Sequence, residues 1–91
     1  MKWNYDDNFN FCKQAIEIYY KNNEDMKASE FIEQINKNNR FNNFSKNSLR
    51  RKLANTKFLF RKYNIKNTID IAELDHYSKD HEKAFKEIMK I

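Results

Sequence analysis

Apolar residues return every three or four positions over most of the chain, and the intervals fall into four groups. With Phe9 at the origin of a 3.6-residue wheel, Cys12, Ile16, Tyr19 and Tyr20 share one side, and Asp6 or Asp7 stands where a helix start needs a cap. The first helix is therefore expected from roughly Asp7 to Tyr20. Ala28, Phe31, Ile32 and Ile35 predict a shorter second helix that ends in an Asn-rich loop. After Ser45, a good N-cap, the stripe Leu49, Leu53, Thr56, Phe60 and Tyr63 predicts a third. A fourth follows Ser78, with Ala84, Phe85, Ile88, Met89 and Ile91 inward, acids in its first turn, and Lys86 and Lys90 near its end. Between Tyr63 and Ser78, "NTIDIAELD" reads as an extended crossing segment followed by a single helical turn. The expectation is an all-α domain over residues 1–91, a small helix-turn-helix-type bundle of about four helices.

Composition changes how the turns are read. Gly and Pro are absent, so the fourteen Asn residues are the side chains best able to take a left-handed backbone. They cluster at Asn22-Asn23, at "NKNNRFNN" from Asn36 to Asn43, and at Asn64 and Asn67. Abundant Lys, Asn, Ile, Phe and Tyr also fit an AT-rich gene. Ninety-one residues bury about 60–65% of the surface exposed by the unfolded chain, so any core is small. Eight Phe, five Tyr, nine Ile and one Trp nevertheless separate the chain from disordered sequences of similar charge. No run spans a bilayer and no signal-peptide pattern is present, so the expected location is the cytoplasm and no membrane partner is expected. The lone Cys12 agrees, since it has no intramolecular partner for a disulfide.

Charge is sorted along the chain. Between Glu33 and Asp70 there is no acid, while ten Lys and Arg residues give that window a charge of +10. Its most cationic part is the third helix. With Leu49 toward the core, Asn47, Arg50, Arg51, Ala54, Lys57, Arg61 and Lys62 project outward, with Lys46 at the helix start. Charged helix faces are usually just solvated, but this one lacks the acids that would form i, i+4 pairs, so it repels itself unless something anionic relieves it. It also follows two shorter helices and a turn, the order in which a helix-turn-helix module presents its reader. Asn47, Arg50 and Arg51 are side chains able to bond adenine and guanine edges in a major groove, and the surrounding lysines suit phosphates. The sequence-predicted nucleic-acid contacts are thus Lys46, Asn47, Arg50, Arg51, Lys57, Arg61 and Lys62.

The motifs "W-x-x-D-D" at the start, "AIEIYY" in the first helix, "NSLRRKLAN" in the third and "YNIKN…L-x-x-YSKDHEKAF" after it resemble the helical domain that precedes endonuclease domains in some bacterial HNH proteins. More distantly, the chain is similar to Myb/SANT-like tri-helical DNA-binding domains. The resemblance implies a nucleic-acid-binding helical module with Trp3, Ile16, Leu49 and Leu53 in its core, and with Asn47, Arg50 and Lys52 in the motif of the third helix. The loop from Asn36 to Phe44 is longer than the three or four residues of a tight helix-turn-helix turn. No HNH nuclease motif is present, so the resemblance carries binding and not cleavage.

Other chemistries find little support. His76 and His81 are five apart, which does not place them on one helix face, and no cysteine completes a zinc set; no metal or cofactor is expected. Cys12 lies on an apolar stripe, where a buried thiol is expected rather than a nucleophile. Asp6-Asp7 suits capping and dipole compensation. There is no Gly-rich phosphate loop, and no enzyme is expected. Two functions remain. One is a small duplex-DNA-binding regulator from a phage or mobile element, for which a homodimer is one arrangement. The other is a phage-type inhibitor of a host defence nuclease, anti-CRISPR-like, that binds an acidic protein surface or the guide RNA. Phe58 separates them, since an apolar ring in the middle of a basic face is either covered by the last helix or anchors a partner.

Overall fold

Three of the four helices start where a short polar side chain takes over an orphan backbone N–H. The computed structural model describes residues 2–22 and 26–91. It contains α1 (Tyr5–Asn22), α2 (Ala28–Asn36), α3 (Lys46–Lys62) and α4 (Lys79–Met89), with no strand among the described residues beyond an isolated parallel bridge between Lys27 and Asp70. Ser45 Oγ accepts from the Ser48 N–H and Ser78 Oγ from the His81 N–H, each at 3.1 Å. These are the predicted caps of α3 and α4. At α1 the cap is Asn4 rather than Asp6 or Asp7, which both lie inside the helix: Asn4 Oδ1 accepts from Asp7 N–H at 2.8 Å, and Asp7 Oδ2 accepts in return from Asn4 N–H at 3.2 Å. That reciprocal pair starts α1 two residues earlier than expected.

All four helices contribute to one core, in which Phe11, Phe31, Phe41, Phe60 and Phe85 are fully buried. α1 packs chiefly against α4, and α2 against α3. α2 buries the four predicted residues, and α3 buries Leu49, Leu53, Thr56 and Phe60 as its stripe requires. Ile91, expected inward, is exposed. The α1 stripe is rotated. Asn8, Phe11, Cys12, Ala15 and Ile16 face inward, whereas Phe9 is half-buried and Tyr20 is 50% exposed. The rotation has a cause in Asn8, whose Nδ2 donates to the Asn4 carbonyl at 2.8 Å and whose Oδ1 accepts from Lys52 Nζ at 2.8 Å. A polar residue that finds both partners can be buried.

The long α2–α3 loop is packed rather than open. Phe41 and Phe44 turn inward from it, and Asn36 Nδ2 donates to both of their carbonyls, at 2.9 and 3.3 Å. Trp3 closes over them, with ring centroids 5.7 Å from Phe41 and 4.7 Å from Phe44, and its Nε1–H donates to Ser48 Oγ at 3.0 Å. Lys52 Nζ lies 4.9 Å from the Trp3 ring centroid. The N-terminus thus grips the first two turns of α3 and sets their orientation.

α3 ends at Asn64, which takes the left-handed conformation (φ 59°) that asparagine tolerates better than most residues in a chain without glycine; Lys90 does the same after α4 (φ 60°). Ile65 N–H bonds the Phe60 carbonyl at 2.8 Å and Asn64 N–H the Arg61 carbonyl at 3.0 Å, the paired bonds of a Schellman end. Residues 65–78 then cross the outer side of α3 as an irregular strap, without the helical turn expected there. Leu74 N–H bonds the Ala54 carbonyl at 3.3 Å. The buried Asn55 side chain donates to the Leu74 and His76 carbonyls at 2.8 and 2.9 Å. Thr68 N–H reaches Tyr19 Oη at 3.0 Å.

Under the strap and α4 lies a small polar cluster. Thr56 Oγ1 donates to the Lys52 carbonyl at 2.8 Å, so its 3.0 Å contact with His81 Nε2 makes that nitrogen the donor. His81 Nδ1 is then a buried lone pair without a partner among the described residues. Burial, and secondarily the Lys52 charge, push the imidazole down to about 3. Burial also pushes the neighbouring Cys12 thiol up to about 12.

Candidate nucleic-acid interface

The predicted contacts fall into two groups along α3, divided by the strap. In the first two turns, Lys46, Asn47, Arg50 and Arg51 are all exposed. Lys46 Nζ bonds Glu33 Oε1 of α2 at 2.5 Å, and that lysine holds the Glu33 carboxyl below its usual range. Arg50 and Arg51 have no acidic partner within 4.0 Å among the described residues. Among the described residues, two adjacent guanidinium groups thus stand without an acidic partner at the end of the helix that Trp3 and Ser48 hold in place.

The second group is occupied by the protein itself. Ala54, expected to project outward, is 6% exposed because the strap crosses there. Lys57 is half-buried, and its ammonium donates to the Ile69 carbonyl of the strap. Arg61 Nε pairs with Glu73 Oε1 at 2.7 Å. Lys62 Nζ bonds Glu82 Oε2 and Tyr77 Oη, each at 2.6 Å. Those partners raise the Lys62 pKa, while Lys62 and Tyr63 together lower that of Glu82. Phe58 is half-buried, with the Tyr77 ring centroid 5.7 Å away and the Arg61 guanidinium 5.7 Å from its own centroid. The cover comes from Tyr77, two residues before the start of α4, rather than from α4 itself.

The acid-free window is therefore not left to repel itself. Arg40 pairs with Asp7 at 3.2 Å, and with Lys46, Arg61 and Lys62 this makes four of the window's ten cations that meet an acid from a flank among the described residues. The i, i+4 rule could not find these pairs, because their partners are 12 to 33 residues away. Lys52, placed in the third-helix motif by resemblance, turns inward to Asn8 and Trp3 instead.

Two open clefts border α3 and the strap. One, of about 340 Å³, lies between Arg50 and Arg51 on one side and Ile71, Ala72 and Leu74 on the other. The other, of about 600 Å³, is lined by Lys57, Arg61, Asn64, Lys66 and Asn67. Glu73 borders both. Lys66, Asn67 and Glu73 escaped sequence reasoning because the strap has no periodicity to aim them; only the missing acids before Asp70 hinted at Lys66. His76 is exposed and His81 buried, and no group of three or more His, Cys, Asp or Glu could hold a metal among the described residues. Among those residues, no helix is long and apolar enough to cross a membrane. Comparison with protein-family models, with curated proteins and with solved structures found no match to this chain.

Proposed function

We propose that this chain binds nucleic acid, with duplex DNA as its ligand, through the N-terminal half of α3. The observation that carries the reading is the exposed Arg50–Arg51 pair, which has no acidic partner among the described residues in a window where four other cations do. Helix-turn-helix readers contact base edges from the N-terminal residues of the recognition helix, and here that end is the uncovered one. Asn47, Arg50 and Arg51 meet the bases, and Lys46 at the helix start meets a phosphate. A regulator of phage or mobile-element type fits such a module, acting alone or as a homodimer.

The test is fluorescence anisotropy on labelled duplexes across a salt series, with duplexes selected from a randomised pool. About four to six phosphate contacts give a log–log salt slope near −4 to −5. Arg50→Ala or Arg51→Ala should cost about 1–3 kcal/mol on a selected site and less on random duplex. Absence of binding at low salt, or salt-independent binding, rejects the reading.

A second reading has one observation in its favour. Arginines beside an apolar wall of Ile71 and Leu74 have the composition of a protein interface, which suits an inhibitor of a host defence nuclease or of its guide-RNA complex. Under that reading the randomised pool returns no motif, and capture from host lysate survives nuclease treatment.

A further inference from the structure

We infer that the furrow between α3 and the strap is a track for one phosphodiester strand, and that the Glu73 carboxylate occupies a phosphate position on Arg61 until the strand displaces it. The inference rests on the proposed nucleic-acid binding and adds where the backbone runs and what holds the track closed. Arg50 and Arg51 stand at one end of the furrow, and Lys57, Arg61 and Lys66 line the other. From Arg50 to Arg61 is about 16 Å along the helix, close to the axial rise of five nucleotides of a B-form strand. Asn64 and Asn67 add neutral hydrogen-bonding groups to the wider cleft. Along this line of cations Glu73 is the one acid that borders both clefts, and its ion pair with Arg61 bridges the furrow between them.

The pair is built to exchange. Arg61 is 69% exposed in its side chain while Glu73 is 27% exposed, so the guanidinium keeps donors turned to solvent, where an incoming anion can bond before the carboxylate leaves. A guanidinium bonds carboxylate and phosphate with the same planar geometry, so the exchange keeps the arginine in place. Glu73 sits on a strap segment whose residues 72–76 are exposed, so the released side chain has solvent to enter.

The experiment measures binding of a fluorescein-labelled mixed-sequence 20-base-pair duplex, and separately of its labelled strand alone, by anisotropy over a salt series. Glu73→Gln is expected to tighten binding three- to tenfold and to steepen the salt slope by about one, because one more cation is free to displace a counterion. On an Arg61→Ala background the same substitution should give no gain, since the exchange needs the arginine. Asp75→Asn removes a neighbouring strap acid with no ion pair among the described residues, and it should tighten binding by less than twofold. A gain on duplex, on single strand or on both supports the track and identifies which source it takes. Equal gains from Glu73→Gln and Asp75→Asn, or a gain that persists without Arg61, would show general repulsion and overturn the inference while leaving DNA binding intact. No tightening by Glu73→Gln, with Glu73→Ala as a second variant and thermal melts to confirm folding, overturns it too. A wild-type protein that binds neither probe at low salt removes the inference together with the reading beneath it.

Discussion

The two ends of the outward face of α3 carry the same kind of residue and meet different fates. At the N-terminal end Asn47, Arg50 and Arg51 stand in solvent; at the C-terminal end Lys57, Arg61 and Lys62 are bonded to the strap and to α4. Nothing in the local sequence distinguishes them, since both are basic stretches on one helix. The difference is made by a segment that contributes almost no regular structure, and it teaches that the exposure of a cationic stripe is decided as much by what the rest of the chain lays over it as by its own residues.

The comparison breaks first at the core that both ends share. Leu49→Ala and Leu53→Ala should each destabilise the protein by about 2–4 kcal/mol in denaturant melts, because both side chains are fully buried. Arg50→Ala and Arg51→Ala should stay within about 0.5 kcal/mol, as free surface residues do. The reverse ranking would mean that α3 presents its other side.

Acid should act next, through α4. The unfolded chain protonates His81 near 6.5, whereas the native imidazole is held neutral down to about 3. Between those values the unfolded state binds more protons, so stability falls as pH falls, by up to about 1.4 kcal/mol per pH unit. The groups facing the ring are Thr56 and the Lys52 ammonium, and neither stabilises an imidazolium. Glu33 and Glu82, whose pKa values are lowered by their lysines, lose stabilisation only below the ordinary carboxylate value of 4.5. Urea titrations from pH 7 to 5 therefore isolate the histidine, and His81→Gln should flatten the profile.

The strap itself is tested by Asn55→Ala, which leaves the Leu74 and His76 carbonyls without their side-chain donor. A cost of about 1–3 kcal/mol is expected, with faster amide exchange at Leu74 than at Leu49. If exchange at the strap is unchanged, Asn55 does not hold it. The smallest effect is at Lys46, whose pair with Glu33 is more than half exposed on both sides. Lys46→Ala should leave the denaturant midpoint nearly unchanged, and indistinguishable from wild type at high salt.

Much of this fold was legible in the chain. Ser45 and Ser78 mark helix starts because a hydroxyl at that place has one good partner, and α2 is legible because four apolar residues leave one choice of face. α1 was misread by about one position because hydropathy cannot know that Asn8 will find Asn4 and Lys52. The all-α bundle and an extended crossing segment after Tyr63 were expected, yet the helical turn did not form and the anchors of the strap were not foreseen, since it is held by side chains bonding carbonyls and such bonds carry no residue-type signature. Of the candidate interface, Arg50 and Arg51 were placed in the open as the wheel requires. Ala54 and Lys57 were not, because burial by an aperiodic segment leaves no trace in the helix it covers.

Cys12 gives the protein a built-in clock. Its thiol is fully buried against α3 and protonated at neutral pH, so a thiol reagent reaches it only when α1 parts from its neighbours. When reclosing outpaces the reagent, the labelling rate divided by that of free cysteine is the opening equilibrium constant, read with no introduced dye or substitution. A ligand that grips α3 alone would slow labelling only as far as whole-molecule opening contributes, whereas one that displaces the strap could leave that rate untouched. The same sulfur therefore reports on how far an event at the surface is felt in the interior.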